Sequence, residues 1–177
     1  MVKRFLLLFL GIITLTGCSS HGNVSTKAYL RAAALDGNKL TLAFYSEEQE
    51  AITVTADNPA QAKKIAELSI GKEIFTGHTE LILLKNCDNL KTLDFMLHEW
   101  KLSPSCMIAQ PEYNGRMILA QAQPENLTGS IRTAQKQNIS PECDIITVLS
   151  GLLGENESAE VAELSEKGFC GVMEIKK

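Results

Sequence analysis

The sequence predicts a single domain of the mixed α/β class, with a mixed or largely antiparallel sheet flanked by helices. Residues 27–177 suffice for one domain with a substantial hydrophobic core. Short segments rich in β-branched residues lie at both ends of this region between turn sequences, which is typical of strands. In the middle, apolar residues recur at helical spacing, and the alternation of the two patterns indicates a mixed α/β domain.

The first part of the domain is predicted to form a β-hairpin and a third strand. Residues 29–35 and 40–45 flank the sequence DGN, in which Asp36 and Gly37 suit the positive φ angles of a tight hairpin turn. Residues 51–55 (AITVT) are rich in β-branched side chains and predict the third strand. The domain is therefore expected to begin with strands.

After Asn58 the spacing of the core-facing residues changes from that of a strand to that of a helix. Asn58 is predicted to cap this first helix. Pro59 suits the first helical position, and Gln61 completes a capping box with Asn58. The helix is expected to end at Gly71. Its core-facing stripe consists of small residues at helical spacing: Ala62, Ile65, Ala66 and Ser69. Residues 79–84 then predict a buried strand.

A second helix is predicted over residues 88–100, followed by a short strand at residues 107–109. Apolar side chains recur along this helix at helical spacing, which places them on one core-facing side. These side chains are Leu90, Leu93, Leu97 and Trp100. Trp100, Phe95 and Phe75 are expected in the core rather than in a sugar-binding surface.

The last third of the chain is predicted to contain two helices and a closing strand pair. Residues 124–137 predict a polar helix, and the sequence SPE at residues 140–142 is expected to open a more apolar one that stops before Gly154. The apolar side of the latter helix consists of Ile145, Val148, Leu149 and Leu152. Residues 159–164 and 168–175 predict an antiparallel pair around a tight turn.

The N-terminal residues have the pattern of a bacterial lipoprotein signal peptide. Lys3 and Arg4 precede an apolar run of about a dozen residues, which is shorter than the roughly 20 residues of a permanent membrane span. The run ends in LTGC, which resembles a lipobox and makes Cys18 the predicted lipid attachment site. Residues 1–17 are then the signal peptide and residues 18–26 a polar tether. A generic secretory signal with a chance cysteine is the alternative.

The net charge of the chain limits the kinds of partner that the domain is expected to bind. Removal of residues 1–17 takes away Lys3 and Arg4 and no acidic residue, so the net charge changes from −4 to −6. An acidic domain binds nucleic-acid phosphates poorly and is repelled by anionic lipid, so no nucleic-acid partner is expected. Membrane attachment is expected from acyl chains on Cys18, because two or more chains hold a protein stably where one holds it only marginally.

The other cysteines do not suggest a metal site. Cys87, Cys106, Cys143 and Cys170 are widely spaced and show no CxxC or CxxxxH pattern, so zinc is not expected. An exported protein can form disulfides, whereas free cysteine is also a common buried residue. Both alternatives stay open for these thiols.

His78 is the histidine that a predicted turn and strand would hold in place. Glu80 follows two residues later, so a pair with His78 could act in metal binding or acid–base catalysis. The alternative is a structural role, in which His78 bonds a backbone group and fixes the turn. The chain contains no GxSxG, Walker or GxGxxG motif. No cofactor, no metal site and no enzymatic activity are therefore predicted.

Four passages of the chain resemble the Ger(x)C lipoproteins, the C subunits of bacterial spore germinant receptors. They occur in the family's order and consist of the lipobox with ALDGNKLTLAFY, NPAQAKKIAELSIGKEIFTGHTELILLKN, LKTLDFMLHEWKLSPSCMIAQPE, and the segment from ISPECD to the C-terminus. The most distinctive point is the Gly77-His78 step before a strand. The likeness covers most of residues 27–177 and corresponds to the family's first domain.

This resemblance implies a lipoprotein without enzymatic chemistry that acts in nutrient-triggered spore germination. The chain is expected to be anchored through Cys18 on the extracytoplasmic face of a membrane, which is the spore inner membrane for a germination protein. Its expected partners are membrane lipid and the A- and B-type membrane subunits of a germinant receptor. Gly77 and His78 are expected to be structural. A solute-binding or other surface lipoprotein unrelated to germination is the alternative.

Overall fold

The computed structural model describes residues 26–46 and 50–177, which form one domain of eight strands and five helices. The strands are β1 (Lys27–Asp36), β2 (Lys39–Phe44), β3 (Ile52–Thr55), β4 (Glu73–Phe75), β5 (Leu81–Lys85), β6 (Met107–Pro111), β7 (Ser158–Ser165) and β8 (Gly168–Lys176). The helices are α1 (Pro59–Ile70), α2 (Asn89–His98), α3 (Gly115–Gln121), α4 (Pro124–Lys136) and α5 (Ile145–Leu153). The predicted mixed α/β class is confirmed.

All eight strands belong to one mixed sheet with the order β3-β2-β1-β5-β6-β7-β8, and β4 pairs with β1 beside β5. The central strands β1, β5, β6 and β7 are parallel to one another. Among the eight strands, antiparallel pairing is confined to the two margins, where β2 and β3 lie on one side and β8 on the other. Of the two predicted sheet types, the mixed one is correct, because helical crossovers join the central strands in parallel.

Both predicted hairpins are confirmed. Asp36 pairs with Lys39, so Gly37 and Asn38 form a two-residue turn between β1 and β2. The φ angle of Gly37 is 59°, which a residue without a side chain adopts without strain. The second hairpin joins β7 to β8 through a turn of the same length.

The predicted boundaries of α1 are also confirmed. The Asn58 side chain accepts a hydrogen bond from the Gln61 backbone N–H at 2.9 Å, and Pro59 takes the first helical position. The predicted capping box differs in one bond, because Gln61 Oε1 accepts from the backbone N–H of Asp57 rather than from that of Asn58. Gly71 ends the helix with a φ angle of 67°.

The predicted start of α5 at residues 140–142 is wrong, because the backbone just before the helix pairs with β6 instead. The Cys143 carbonyl accepts from Ile108 N–H, and Ile145 N–H donates to the carbonyl of Cys106. The helix therefore begins only at Ile145, with Asp144 as its N-cap.

Helices cover both faces of the sheet. Gly115 of α3 lies against Ala34 and Leu83, whereas α1 and α2 lie over the neighbouring side chain of Leu35. Successive residues of a strand point to opposite faces, so these helices lie on opposite sides. The run LILL of β5 is fully buried for this reason, as is usual for a central parallel strand. Within the two described ranges, no helix has both the length and the apolar character needed to cross a bilayer.

Candidate functional site

The Gly77-His78 step lies in a loop of residues 76–80 that interrupts the sheet between β4 and β5. Both strands pair in parallel with β1, at Tyr29↔Phe75 and at Ala32↔Leu81. Two residues of β1 therefore lie opposite the five residues of this 76–80 loop. The loop is an outward bulge of one side of the sheet, of the kind that re-aims side chains.

Two buried threonines close the 76–80 loop. The Thr76 carbonyl accepts hydrogen bonds from the backbone N–H of Thr79 at 3.0 Å and from its hydroxyl at 2.7 Å. The Thr76 hydroxyl donates to the carbonyl of Trp100, just after α2. Buried hydroxyl groups need such partners, so these bonds tie the loop to the core.

The lack of a side chain at Gly77 matters because the space beside it is limited, and not because of an unusual backbone angle. A Cβ atom at this position would lie 3.0 Å from Cζ of the Phe75 ring. A side chain there would therefore displace the ring on which the loop rests.

The exposed ring of His78 packs against two aromatic rings. Its centroid lies 5.2 Å from that of Phe75, edge to face, and 6.5 Å from that of Tyr29, nearly parallel. The structure shows a different hydrogen bond from the predicted one between the His78 ring and a backbone group. Among the residues that the structure describes, the hydrogen bond at His78 comes instead from Tyr45, whose hydroxyl donates to the His78 carbonyl at 2.9 Å.

Glu80 belongs to a network centred on Arg31. The Glu80 carboxylate accepts from the Tyr45 hydroxyl at 3.0 Å and lies 3.5 Å from Nε of Arg31. Nη2 of Arg31 lies 3.1 Å from the carboxylate of Glu125 in α4, and the guanidinium sits 4.9 Å from the centre of the Tyr45 ring. Burial and the bond to Glu80 raise the pKa of Tyr45. The network joins β1, β2, the 76–80 loop and α4.

The hypothesis of a catalytic or metal-binding pair of His78 and Glu80 does not match this arrangement. The Glu80 carboxylate is engaged by Arg31 and Tyr45, and the His78 ring packs on carbon surfaces. In the described part of the chain, no three His, Cys, Asp or Glu residues are placed to hold a metal ion. These contacts favour structural roles for the side chains of His78 and Glu80.

The four cysteines of the domain are free thiols in this structure. Burial raises the pKa of Cys87 to about 11 and holds that of Cys106 far above its ordinary range. Burial also raises the pKa of Cys143. Only Cys170 is exposed, and its pKa is raised by partial burial and by nearby carboxylates. The buried thiols are therefore protonated and inert at neutral pH.

A crevice of about 340 Å³ that no sequence motif predicted lies between α1 and α2, beside the carboxyl ends of β1 and β5. Apolar side chains form its floor: Leu35, Leu40, Ala62 and Phe95. At its rim, Asn58 and Asp88 cap the two helices. Open α/β sheets bind ligands at this edge. The two capping sequences after strands were the signal available, but only the strand order brings them together.

Cys18, the predicted lipid attachment site, lies outside the described residues, as do the predicted signal peptide and most of the tether. No protein family, no curated protein and no solved structure matches this chain.

Proposed function

We propose that this protein is a non-catalytic lipoprotein that assembles with the A- and B-type membrane subunits of a germinant-receptor-like complex in spore germination. The observation that carries the proposal is the construction of the 76–80 loop, the most distinctive passage of the family resemblance. Its threonines bond to the backbone, Gly77 makes room for Phe75, and His78 packs on aromatic rings. The contacts of Thr76, Thr79 and His78 lie within the domain, which supports the structural role that the resemblance implies for Gly77 and His78.

The mechanism of such a domain is positional. Acyl chains on Cys18 would confine the domain to the membrane surface, where its partners lie. Confinement raises the effective concentration of the domain at those partners without any additional contact. Two or more acyl chains are needed for this, since a single chain binds a bilayer only marginally.

Two exposed apolar side chains that follow the carboxyl end of β6 in the chain are suited to a protein partner. Tyr113 is 72% exposed and Met117 is 56% exposed, and both residue types are common in interfaces. Nζ of Lys85 donates to the carbonyls of Pro111, Glu112 and Tyr113, at 2.6 Å for the last. This lysine holds the backbone that presents Tyr113, which lowers the cost of ordering that segment on binding.

The test is co-purification with the membrane subunits encoded next to this gene. The wild-type lipoprotein is expected to retain both subunits through detergent extraction, and the double variant Tyr113→Ala with Met117→Ala is expected to lose them. Leu153→Ala, at another exposed apolar residue, serves as the matched control. The proposal fails if no such subunits are encoded nearby and spores lacking the gene germinate normally with nutrients.

The crevice favours one other candidate function, that of a solute-binding lipoprotein. Its apolar floor and polar rim resemble small-molecule sites in general. A screen of small molecules by thermal shift tests this: a true ligand should raise the Tm of the wild type and not that of Ala62→Leu, which fills the floor. A screen in which nothing raises the Tm, or in which both proteins respond equally, contradicts the candidate.

A further inference from the structure

We infer that the surface at the end of α1, defined here as the α1 patch (Lys64, Leu68 and Lys72), contacts an anionic lipid bilayer. This inference rests on the proposed lipid attachment at Cys18. The α1 patch is thus the face of the domain that contacts the membrane, through two lysine charges and one leucine side chain.

The chain enters the domain beside the α1 patch. Thr26, directly before β1, lines an open groove together with the α1 patch and its neighbours: Lys64, Glu67, Leu68, Gly71, Lys72 and Glu73. Cys18 precedes Thr26 by eight residues, which span at most about 28 Å when fully extended. The far end of β1 is a further ten residues away, or about 33 Å. The α1 patch therefore lies at the end of β1 that is nearer to the anchor in the chain, and the carboxyl end of β1 lies at the far end.

Leu68 gives the α1 patch an exposed apolar side chain. Its side chain is 84% exposed, more than any other large apolar residue in the described part of the chain. Isolated exposed leucines are common, but this one stands between Lys64 and Lys72 beside the point of attachment. A leucine flanked by lysines suits the boundary between headgroups and acyl chains, where the apolar group enters and the ammonium groups stay at the phosphates.

The local charge of the groove is positive. The two acidic residues of the groove are already paired, Glu67 with Lys63 at 3.4 Å and Glu73 with Lys27 at 3.3 Å. Within residues 26–46 and 50–177, no ion pair engages the ammonium groups of the patch itself. The paired charges cancel locally, so the groove presents the two positive charges of the α1 patch.

Screening explains how an acidic protein can present such a patch to anionic lipid. Charges separated by more than about 10 Å interact little at 0.1 M salt. The acyl chains supply attachment, and only charges near the bilayer then affect which face turns toward it. The α1 patch therefore sets the orientation, although the net charge of the whole chain is negative.

Fluorescence quenching by brominated phosphatidylglycerol tests this orientation. The full-length lipidated protein is reconstituted into phosphatidylcholine vesicles that contain the brominated lipid, with tryptophan introduced by Leu68→Trp or, as a control on the opposite edge, by Tyr113→Trp. The native Trp100 is only 4% exposed and gives a constant background. Quenching at Leu68→Trp is expected to exceed that at Tyr113→Trp by about twofold or more, because the bromines lie in the layer that Leu68 enters.

Charge variants complete the test. Adding Lys64→Glu and Lys72→Glu to Leu68→Trp should remove about half or more of the quenching, whereas Lys39→Glu, in the distant β1–β2 hairpin, should not. Equal quenching at the two tryptophan positions, or no effect of the Lys64 and Lys72 changes, overturns the inference while mass spectrometry and vesicle flotation show the lipid in place. A protein that carries no lipid and does not float overturns the anchoring itself, and the contact with it.

Discussion

Thr76 is a polar residue buried where the 76–80 loop interrupts the sheet between β4 and β5. Its hydroxyl donates to the Trp100 carbonyl, and its own carbonyl accepts twice from Thr79. These bonds hold the start of β5 against the end of α2. A single hydroxyl thus connects the 76–80 loop to the core, and its loss should be measurable.

Thr76→Val is expected to destabilise the domain by about 1–3 kcal/mol, because the isosteric side chain leaves a buried carbonyl without its donor. Thr133→Val is the matched control, since the Thr133 hydroxyl is exposed and bonds within its own helix. This control should change the free energy of unfolding by less than about 0.5 kcal/mol. Urea unfolding of the two variants compares them directly. Equal losses would show that the hydroxyl of Thr76 does not hold the loop.

The thiols give a second prediction at the residue scale. Among the four cysteines of the described residues, Cys170 is the exposed one and should react with a thiol reagent at pH 8 while the domain is folded. Cys106 and Cys143 should react only after unfolding, because burial excludes the reagent and keeps both thiols protonated. Mass spectrometry after timed alkylation measures this order. A buried pair that stays unreactive in denaturant until a reductant is added would instead reveal a disulfide.

Sequence reasoning located His78 in a turn before a strand, but it did not identify what the residue contacts. The Gly-His-strand pattern is local, so it was visible. The rings of Tyr29 and Phe75 come from strands whose pairing no local pattern specifies. For the same reason the role of Arg31 was missed, since its partners Glu80 and Glu125 are far away in sequence.

At the scale of elements, α5 depends on an ionised N-cap. Burial by itself raises the pKa of Asp144, but hydrogen bonds from the Thr147 hydroxyl and from the Thr147 and Ile146 backbone outweigh it and hold the pKa below the ordinary value of 3.8. The stabilisation by the carboxylate is therefore complete above pH 3.8 and is lost as the pH falls through the lower, folded-state pKa.

Asp144→Ala is expected to cost about 1 kcal/mol of unfolding free energy at pH 7. The difference from the wild type should shrink as the pH falls below 3.8, because the wild-type carboxyl then becomes protonated. Asp144→Asn keeps an acceptor without a charge, and its stability should not change with this titration. Thermal unfolding as a function of pH measures all three proteins. A deficit of Asp144→Ala that is unchanged at the lowest pH would contradict the role of the charge.

The contact between α3 and the sheet depends on a glycine. A Cβ atom at Gly115 would lie 2.6 Å from Cβ of Ala34, so Gly115→Ala must push the helix away from β1. We expect a loss of about 1–3 kcal/mol. At Gly129, inside α4, an added Cβ meets no atom within 4 Å, and Gly129→Ala should stabilise the domain by about 0.5–1 kcal/mol. Chemical denaturation of both variants would contradict this account if the two changes had the same sign.

The elements that sequence reasoning placed correctly are those with strong local signals. Asn58 and Gly71 bound α1 because capping involves only neighbouring residues. The start of α5 was misplaced because residues 143–145 pair with β6, which is a long-range contact. The short elements β4 and α3 were missed, since so few residues carry no clear period.

At the scale of the whole molecule, the class was predictable and the arrangement was not. Alternating strand and helix patterns indicate an α/β domain, but they do not fix which strands are neighbours. The parallel centre β1-β5-β6-β7 follows from crossovers through helices, and it creates the crevice between α1 and α2. The domain thus has one edge that carries the crevice and Tyr113 and an opposite edge where the chain enters from Cys18.

The central claim is that this domain serves at a membrane surface to which Cys18 attaches it. Mass spectrometry of the N-terminal peptide, prepared from the membrane fraction of cells that express the whole chain, tests it most directly. The account predicts a mature protein that begins at Cys18 and carries a diacylglyceryl thioether on that sulfur. An unmodified Cys18, in a protein recovered free of membranes, would contradict it.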